Sequence, residues 1–316
     1  MPINTTYLIT QTLNGIQYGF TLFLVASGLT VILGILDVLN IAHGELFAFG
    51  AYAGVSIFGL VVGTLVPAEV TGSVGLTILV VLVVLSIVLT GLVMVPVGTI
   101  FETVFLRPLY DRDEVYQLVA TFALLMVILD TKQIIWGGGQ QTVPSRVYAG
   151  INQIPSLDVI GIGFPTYGLL SIVLGFVVMG ALFYFFNRTR TGRIFRATAI
   201  DREMATALGV STDRVFTLVF ALGAFLAGFA GAIYVPPTSA QLGMGTDPLV
   251  LSFVVIVIGG LGSLKGAFVG SIIVGVLRQW VGLALPKYQL AAPFLVMVII
   301  LMVKPDGLFG SWGDRT

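Results

Sequence analysis

The chain has no cysteine among its 316 residues and a single histidine, His43. Without cysteine it cannot form a disulfide framework, a thiolate metal site or a cysteine nucleophile. One histidine is too few for the zinc signature His-Glu-x-x-His. Charge is also scarce, because 9% of the residues are charged, whereas a soluble globular domain has about 25%. These absences argue against a soluble enzyme.

Apolar residues take the place of the missing charge: 57% of the chain is hydrophobic and the mean hydropathy is +1.05. A helix needs about 20 residues to cross a hydrocarbon core of about 30 Å. Nine apolar segments reach or approach that length: 12–36, 46–65, 74–101, 115–135, 167–186, 215–235, 249–261, 267–285 and 291–303. The segment 249–261 is short enough to be re-entrant. We therefore predict an all-α, polytopic integral membrane bundle with eight or nine spans, forming one domain over residues 1–316.

A charged connector, residues 187–214, separates two long apolar segments in the middle of the chain. It contains six of the 15 Lys and Arg residues: Arg188, Arg190, Arg193, Arg196, Arg202 and Arg214. An excess of positive charge beside membrane spans marks the cytoplasmic side, so we expect the connector in the cytoplasm. With nine spans, the N-terminus and the polar loop 136–163 then face outside. That loop is either a docking surface for another protein or a solvated linker.

Within the connector, residues 200–208 form a pattern that predicts a short amphipathic helix. Ile200, Met204 and Leu208 recur every four residues and share one face. The other members of the segment are mostly charged or small: Asp201, Arg202, Glu203 and Ala205. Gly209 supplies a left-handed stop, and Ser211 or Thr212 with Asp213 can cap the next helix. A helix this short is unstable alone in water, so its apolar face needs a groove on another protein.

Glycine is abundant, with 39 residues, and it recurs at helical spacing in two places. The positions are Gly223, Ala227 and Gly231 after the connector, and Gly262, Gly266 and Gly270 farther on. In lipid, such small-residue stripes let helix backbones approach closely. We expect them to pack within one subunit rather than to form a seam between subunits.

A polar cluster interrupts an otherwise apolar stretch near the N-terminus, where Asn40, His43 and Glu45 follow Asp37. An ionisable residue near a membrane span is a functional hypothesis by default, so Asn40, His43 and Glu45 are candidate substrate-pathway residues. His43 and Glu45 would lie about 200° apart on a regular helix, so they can act on one solute only if Gly44 breaks the helix. The alternative is a tight interfacial turn whose polar residues cap a helix.

The glycine-rich segment 259–266, GGLGSLKG, resembles a phosphate loop only superficially. Leu264 precedes Lys265 where the motif requires glycine, and Gly266 follows where Ser or Thr would bind the metal. We predict that this chain does not bind ATP. It also offers one imidazole without an evident nucleophile, so we predict no catalytic residue, cofactor or metal ligand in the chain and no nucleic-acid partner.

Three separated motifs resemble the permease subunits of bacterial ABC importers for branched-chain amino acids. They are LNIAHGELFAFGAY, TGRIFRATAIDREMATALGV and VVIVIGGLGSLKGAFVGSIIVGVL, and the C-terminal KPDGLFG resembles that family too. The similarity covers nearly the whole chain. It is less specific for the substrate, because permeases for urea and short amides share the pattern.

The resemblance implies a multi-pass subunit of the bacterial inner membrane that works by alternating access. Its implied partners are two ATP-binding cassette subunits, a second related permease chain and an extracytoplasmic substrate-binding protein. Residues 200–209 would be the coupling helix that enters a cleft on the ATPase. Two alternatives remain open: an ATP-independent channel for a small neutral solute, and an intramembrane enzyme that brings Asp130 or Asp247 to His43.

The proposed orientation can be tested with cysteines introduced into this cysteine-free chain. Cysteines at Thr189 and Ser211 should react with a membrane-impermeant thiol reagent only from the cytoplasmic side, and one at Gln141 only from outside. Labelling of intact cells measures access from outside, and labelling of inverted vesicles measures access from the cytoplasmic side. Labelling of all three positions from one side would contradict the nine-span topology.

Overall fold

The computed structural model describes residues 5–66, 72–154 and 163–310. Within these ranges the regular secondary structure is helical, and β-type pairing is limited to one isolated bridge between Gln141 and Ala240, which confirms the all-α prediction. Seven of the described helices are long and apolar enough to cross a membrane. With the shorter helices, the order is α1 (Thr5–Leu36), α2 (His43–Leu65), α3 (Gly72–Ile100), α4 (Glu114–Trp136), α5 (Ser145–Ile151), α6 (Thr166–Arg188), α7 (Arg190–Ile200), α8 (Arg202–Ala207), α9 (Thr212–Tyr234), α10 (Thr246–Gly259), α11 (Leu264–Ala284) and α12 (Ala291–Val303).

Helices α1 and α9 form the centre of the bundle. Helix α1 packs against α6, α9, α10 and α11, and α9 packs against α1, α2 and α3. Both are apolar around most of their circumference, which is typical of a helix buried on all sides. Helices α4, α6 and α12 lie at the periphery and expose large apolar side chains such as Phe122, Phe176 and Met302. These outer faces suit lipid.

Close backbone contacts at glycine join the central helices. A Cβ atom at Gly231 of α9 would lie 2.3 Å from the Phe47 carbonyl oxygen of α2, and one at Gly223 would lie 2.5 Å from Ile32 Cδ1 of α1. Ala227, on the same stripe, is fully buried. The structure therefore uses this stripe for contacts within the chain.

The second stripe differs in part from the prediction. Gly266 and Gly270 lie on α11, where Cβ atoms would collide with the Gly259 and Val255 carbonyl oxygens of α10 at 2.0 and 2.9 Å. Gly262, however, lies in the turn before α11 with φ +77. It is not part of the helical face, because the Ser263 side chain caps α11 by accepting a hydrogen bond from the Gly266 amide.

Helices α2 and α10 begin inside the bundle rather than at its end. The ring of His43, the first residue of α2, is hydrogen-bonded to the Val25 carbonyl oxygen, and Val25 lies eleven residues before the end of α1. Gly245, at the N-terminus of α10, is in backbone contact with Gly44. Helix α10 has 14 residues and is about 21 Å long. It is therefore too short to cross the hydrocarbon core, which explains the short apolar segment 249–261.

Gly231→Ala tests the central packing. Its new methyl group would collide with the backbone of α2, so we expect a cost of about 1–3 kcal/mol and a lower melting temperature of the detergent-solubilised protein. Gly180→Ala on α6 is the matched control, because no atom lies within 4 Å of the position that its Cβ would take. Equal melting temperatures for the two variants would contradict the described contact.

Candidate functional site

The connector between α6 and α9 folds into two short helices. Thr189 begins the first by accepting a hydrogen bond from the Gly192 amide at 3.0 Å, and α7 packs its Phe195 ring against those of Phe185 and Phe186. Asp201 then leaves the helical conformation, with φ −149 and ψ 102. Its carboxylate accepts a hydrogen bond from the Met204 amide at 2.8 Å and so begins α8.

This capping interaction corrects the predicted single helix over residues 200–208. Ile200 ends α7, α8 contains only Arg202–Ala207, and Leu208 follows it. The reason is the short Asp201 side chain, which satisfies a free amide of the next turn better than a continuing helix would. Gly209 has φ +86 and ends the segment as a left-handed residue.

Despite the break, the three apolar residues of the predicted stripe are exposed together. The exposed fractions are 80% for Ile200, 57% for Met204 and 78% for Leu208. Glu203 is also exposed, whereas Ala205 is buried against the bundle. Large exposed apolar side chains on a polar connector are typical of protein–protein contact surfaces, which makes this stripe a candidate contact surface. We call residues 200–209 the docking segment.

The docking segment is attached to α9 through Phe216. The Arg202 guanidinium lies over the Phe216 ring at 4.7 Å, a cation–π contact. The Tyr110 ring makes an edge contact with the Phe216 ring, with the two ring centroids 5.1 Å apart. Tyr110 donates a hydrogen bond to buried Glu102 at 3.2 Å. Burial, together with the Glu102 carboxylate, raises the pKa of the Tyr110 hydroxyl, so that it remains a donor.

The same Glu102 carboxylate holds the turn between α3 and α4. Arg107 donates to it from two nitrogens, at 3.2 and 3.0 Å, and donates also to Thr217 of α9 at 2.5 Å. Paired hydrogen bonds between a guanidinium and a carboxylate are strong and directional. The end of α9 beside the docking segment is therefore rigidly supported.

The predicted pathway residues lie in the interior of the bundle. Asn40, His43 and Glu45 are 0%, 0% and 3% exposed. Both polar side-chain atoms of Asn40 and the Nδ1 atom of His43 have no hydrogen-bond partner among the described residues. All three side chains are therefore enclosed by their neighbours in the described part of the bundle.

Gly44 does not break the helix as the pathway hypothesis requires. Helix α2 runs without interruption from His43 through Gly44 and Glu45. Glycine is needed at position 44 for a different reason, because a Cβ atom there would lie 2.4 Å from the Gly245 carbonyl oxygen. His43 consequently faces α1 while Glu45 faces α4, so the two side chains point to different helices.

Glu45 has a partner that the sequence pattern did not reveal. The Lys132 ammonium donates a hydrogen bond to its carboxylate, and both side chains are almost fully buried. The Lys132 ammonium also lies 5.7 Å from the centre of the Tyr52 ring. The spacing of residues along α4 could have indicated this pair. Lys132 lies on the same helical face as the other buried residues of α4, which follow one another at intervals of three or four: Gln117, Thr121, Leu124 and Ile128. Polar residues on the buried stripe of a peripheral helix indicate contacts inside the bundle.

Comparisons of the sequence with known proteins place it among transport system permeases. The family described as "Branched-chain amino acid transport system / permease component" matches residues 11–301. The high-affinity branched-chain amino acid transport system permease protein LivH of Escherichia coli (strain K12) is 28% identical over 314 residues, covering 96% of each chain. BraD of Pseudomonas aeruginosa, which carries the same description, is 26% identical over 306 residues and again covers 96% of each. Among solved structures, PsaBC from Streptococcus pneumoniae in complex with Fab matches with a TM-score of 0.46 and 13% identity, covering 93% of this chain and 91% of that chain.

The Glu45 and Lys132 pair can be tested with single and double variants. Glu45→Gln leaves a buried ammonium without its counter-charge, so we expect a loss of about 3–5 kcal/mol and a clear fall in melting temperature. Glu45→Gln combined with Lys132→Met removes both charges and should recover most of the loss. Asp130→Asn, on the exposed side of α4, is the control. A double variant as unstable as the single one would show that the pair is not coupled.

Proposed function

This chain belongs to the family of branched-chain amino acid transport system permease components, and we propose that it is the membrane subunit of an ATP-driven importer of branched-chain amino acids. The observation that carries the proposal is a match over 96% of the chain to LivH. A multi-pass helical bundle agrees with this class. We further propose that the chain resides in a bacterial inner membrane.

The proposed partners are two ATP-binding cassette subunits, a second related permease chain and an extracytoplasmic binding protein. ATP would be bound by the cassette subunits, since the glycine-rich turn 259–266 of this chain departs from the phosphate-loop motif at Leu264 and Gly266. The amides of Leu308 and Phe309 donate hydrogen bonds to the carbonyl oxygens of Ile258 and Gly259, at 2.8 and 2.9 Å. A Cβ atom at Gly260 would lie 2.4 Å from the Gly310 nitrogen. The C-terminal segment thus packs directly against the start of this glycine-rich turn.

The docking segment is the proposed contact with the ATP-binding subunit. Ile200, Met204 and Leu208 would enter a cleft there, and burying each such side chain contributes about 1.5–3 kcal/mol. Movement of the cleft would displace α9 within the membrane, because the contact between Arg202 and Phe216 joins the docking segment to α9. Since α9 packs against α1, α2 and α3, its displacement would open the bundle toward one side at a time, which is alternating access.

Met204→Asp tests the coupling role. The new carboxylate would have to be buried in the ATPase cleft, at a cost of several kcal/mol, so ATP-driven leucine uptake into vesicles should fall at least tenfold and fewer ATP-binding subunits should co-purify. Insertion of the permease should be normal, because position 204 is exposed in this chain. Thr206→Asp, on the other side of α8, is the matched control and should retain uptake.

The contrary outcome is equally specific. If the Met204→Asp variant co-purifies with the ATP-binding subunits and imports leucine at the wild-type rate, the docking segment is not the coupling element. If no ATP-binding subunit co-purifies with the unmodified chain from its native membrane, the proposed importer itself is wrong.

A further inference from the structure

A polar cavity of about 450 Å³ lies at the end of the bundle opposite the docking segment. Three helices contribute Tyr18 (α1), Tyr234 (α9) and Arg278 (α11) to its walls. Asp247 at the start of α10 and Met244 in the chain before α10 complete them. The volume is within the range of about 300–1,000 Å³ that small-molecule sites have. We call this cavity the outer pocket.

The outer pocket contains one cation and one anion held side by side. Arg278 lies 3.5 Å from the Asp247 carboxylate. The guanidinium also lies over the Tyr18 ring at 4.6 Å and donates a hydrogen bond to the Tyr18 hydroxyl. Arg278 is 18% exposed and Asp247 is 51% exposed. Both groups can therefore be reached from the cavity, and Arg278 is fixed in orientation by Tyr18.

The pocket reaches the depth at which the half-length helix α10 begins. Gly243 and Met244 line it, and Gly245, the next residue, is in backbone contact with Gly44 of α2. A solute in the outer pocket would thus rest directly beside the contact between the N-termini of α2 and α10. That contact would have to separate before the solute could move farther toward the docking segment.

We propose that the outer pocket binds the charged groups of a free α-amino acid, with the substrate carboxylate on Arg278 and the substrate ammonium on Asp247. This inference rests on the proposed function and names its recognition site. A guanidinium has five N–H donors. The contacts of Arg278 with Tyr18 and Asp247 do not use all five, so N–H donors remain for the substrate carboxylate. Leu242, Met244 and Pro248 line the same pocket and provide apolar surface for an aliphatic side chain.

Electrostatics favours a zwitterion over a singly charged solute in this pocket. Arg278 and Asp247 together carry no net charge, and a zwitterion adds none. Each of its charges lies next to an opposite one, so that attraction in a partly desolvated site offsets the loss of hydration. An acid of the same size would pair with Arg278 alone, and an amine would pair with Asp247 alone. In each case the other protein charge would gain no opposite charge from the solute.

The direct test measures binding without transport. Leucine at 10 to 50 mM should raise the melting temperature of the purified complex in a saturable manner, since a ligand that binds only the native state stabilises it. Leucinol, which lacks the carboxylate, and 4-methylpentanoate, which lacks the ammonium, should produce no shift. Asp247→Asn and Arg278→Gln should each abolish the leucine shift, whereas Lys287→Gln, an exposed charge elsewhere, should keep it. Stabilisation by all three compounds alike, or by leucine in both pocket variants, would overturn the proposal.

A transport measurement separates a binding pair from a structural ion pair. Asp247→Asn and Arg278→Gln should reduce leucine uptake at least tenfold while ATP hydrolysis stimulated by the binding protein is retained. The exchanged variant Asp247→Arg with Arg278→Asp keeps a pair of opposite charges, and it should remain inactive in uptake because the charges are reversed. Recovery of uptake in the exchanged variant would show a structural pair and overturn the site. If the wild-type complex imports no leucine, the proposed function fails, whereas the leucine shift still tests the pocket.

Discussion

Close contact between helix backbones at glycine is the interaction on which this bundle depends. Lipid tails are as apolar as the side chains, so the hydrophobic effect does not drive helices together in a membrane, and close packing must do so. Gly50 lies against Gly228, Gly259 against Gly266 and Gly44 against Gly245, each pair too near for a Cβ atom. The last contact has the widest consequences. It holds the starts of α2 and α10 together in the interior, and it lies directly beside the outer pocket.

Helix α9 connects the two ends of the molecule at which solute and ATPase are proposed to act. Near its start, Phe216 contacts both Arg202 of the docking segment and Tyr110. At its end, Tyr234 lines the outer pocket. Between them, Gly223 and Gly231 hold α9 against α1 and α2. A displacement of the docking segment would therefore be transmitted by one rigid element that is packed against most of the central bundle.

The sequence predicted the apolar spans and the exposed apolar stripe of the connector because both depend on local patterns, whereas the predicted single helix over residues 200–208 was wrong because Asp201 begins a second helix. Hydropathy placed α12 at residues 291–303, where the structure has it, and spacing identified the exposed stripe of Ile200, Met204 and Leu208. The paired charges could not be predicted, since Glu45 and Lys132 lie 87 residues apart and Asp247 and Arg278 lie 31 apart. Nothing local reveals that Lys132 contacts Glu45, because the contact depends on α2 beginning deep in the bundle. Whether Gly44 breaks the helix could not be decided from the sequence for the same reason, because its partner Gly245 is distant in sequence.

Active accumulation of leucine tests the central claim most directly. The chain, purified with the subunits that accompany it, would be placed in lipid vesicles with leucine-loaded binding protein on one side and ATP on the other. An ATP-driven importer should concentrate labelled leucine above its level at the source, and should stop when ATP is replaced by a non-hydrolysable analogue. Equilibration of leucine to equal concentrations without ATP would identify a passive channel and contradict this account.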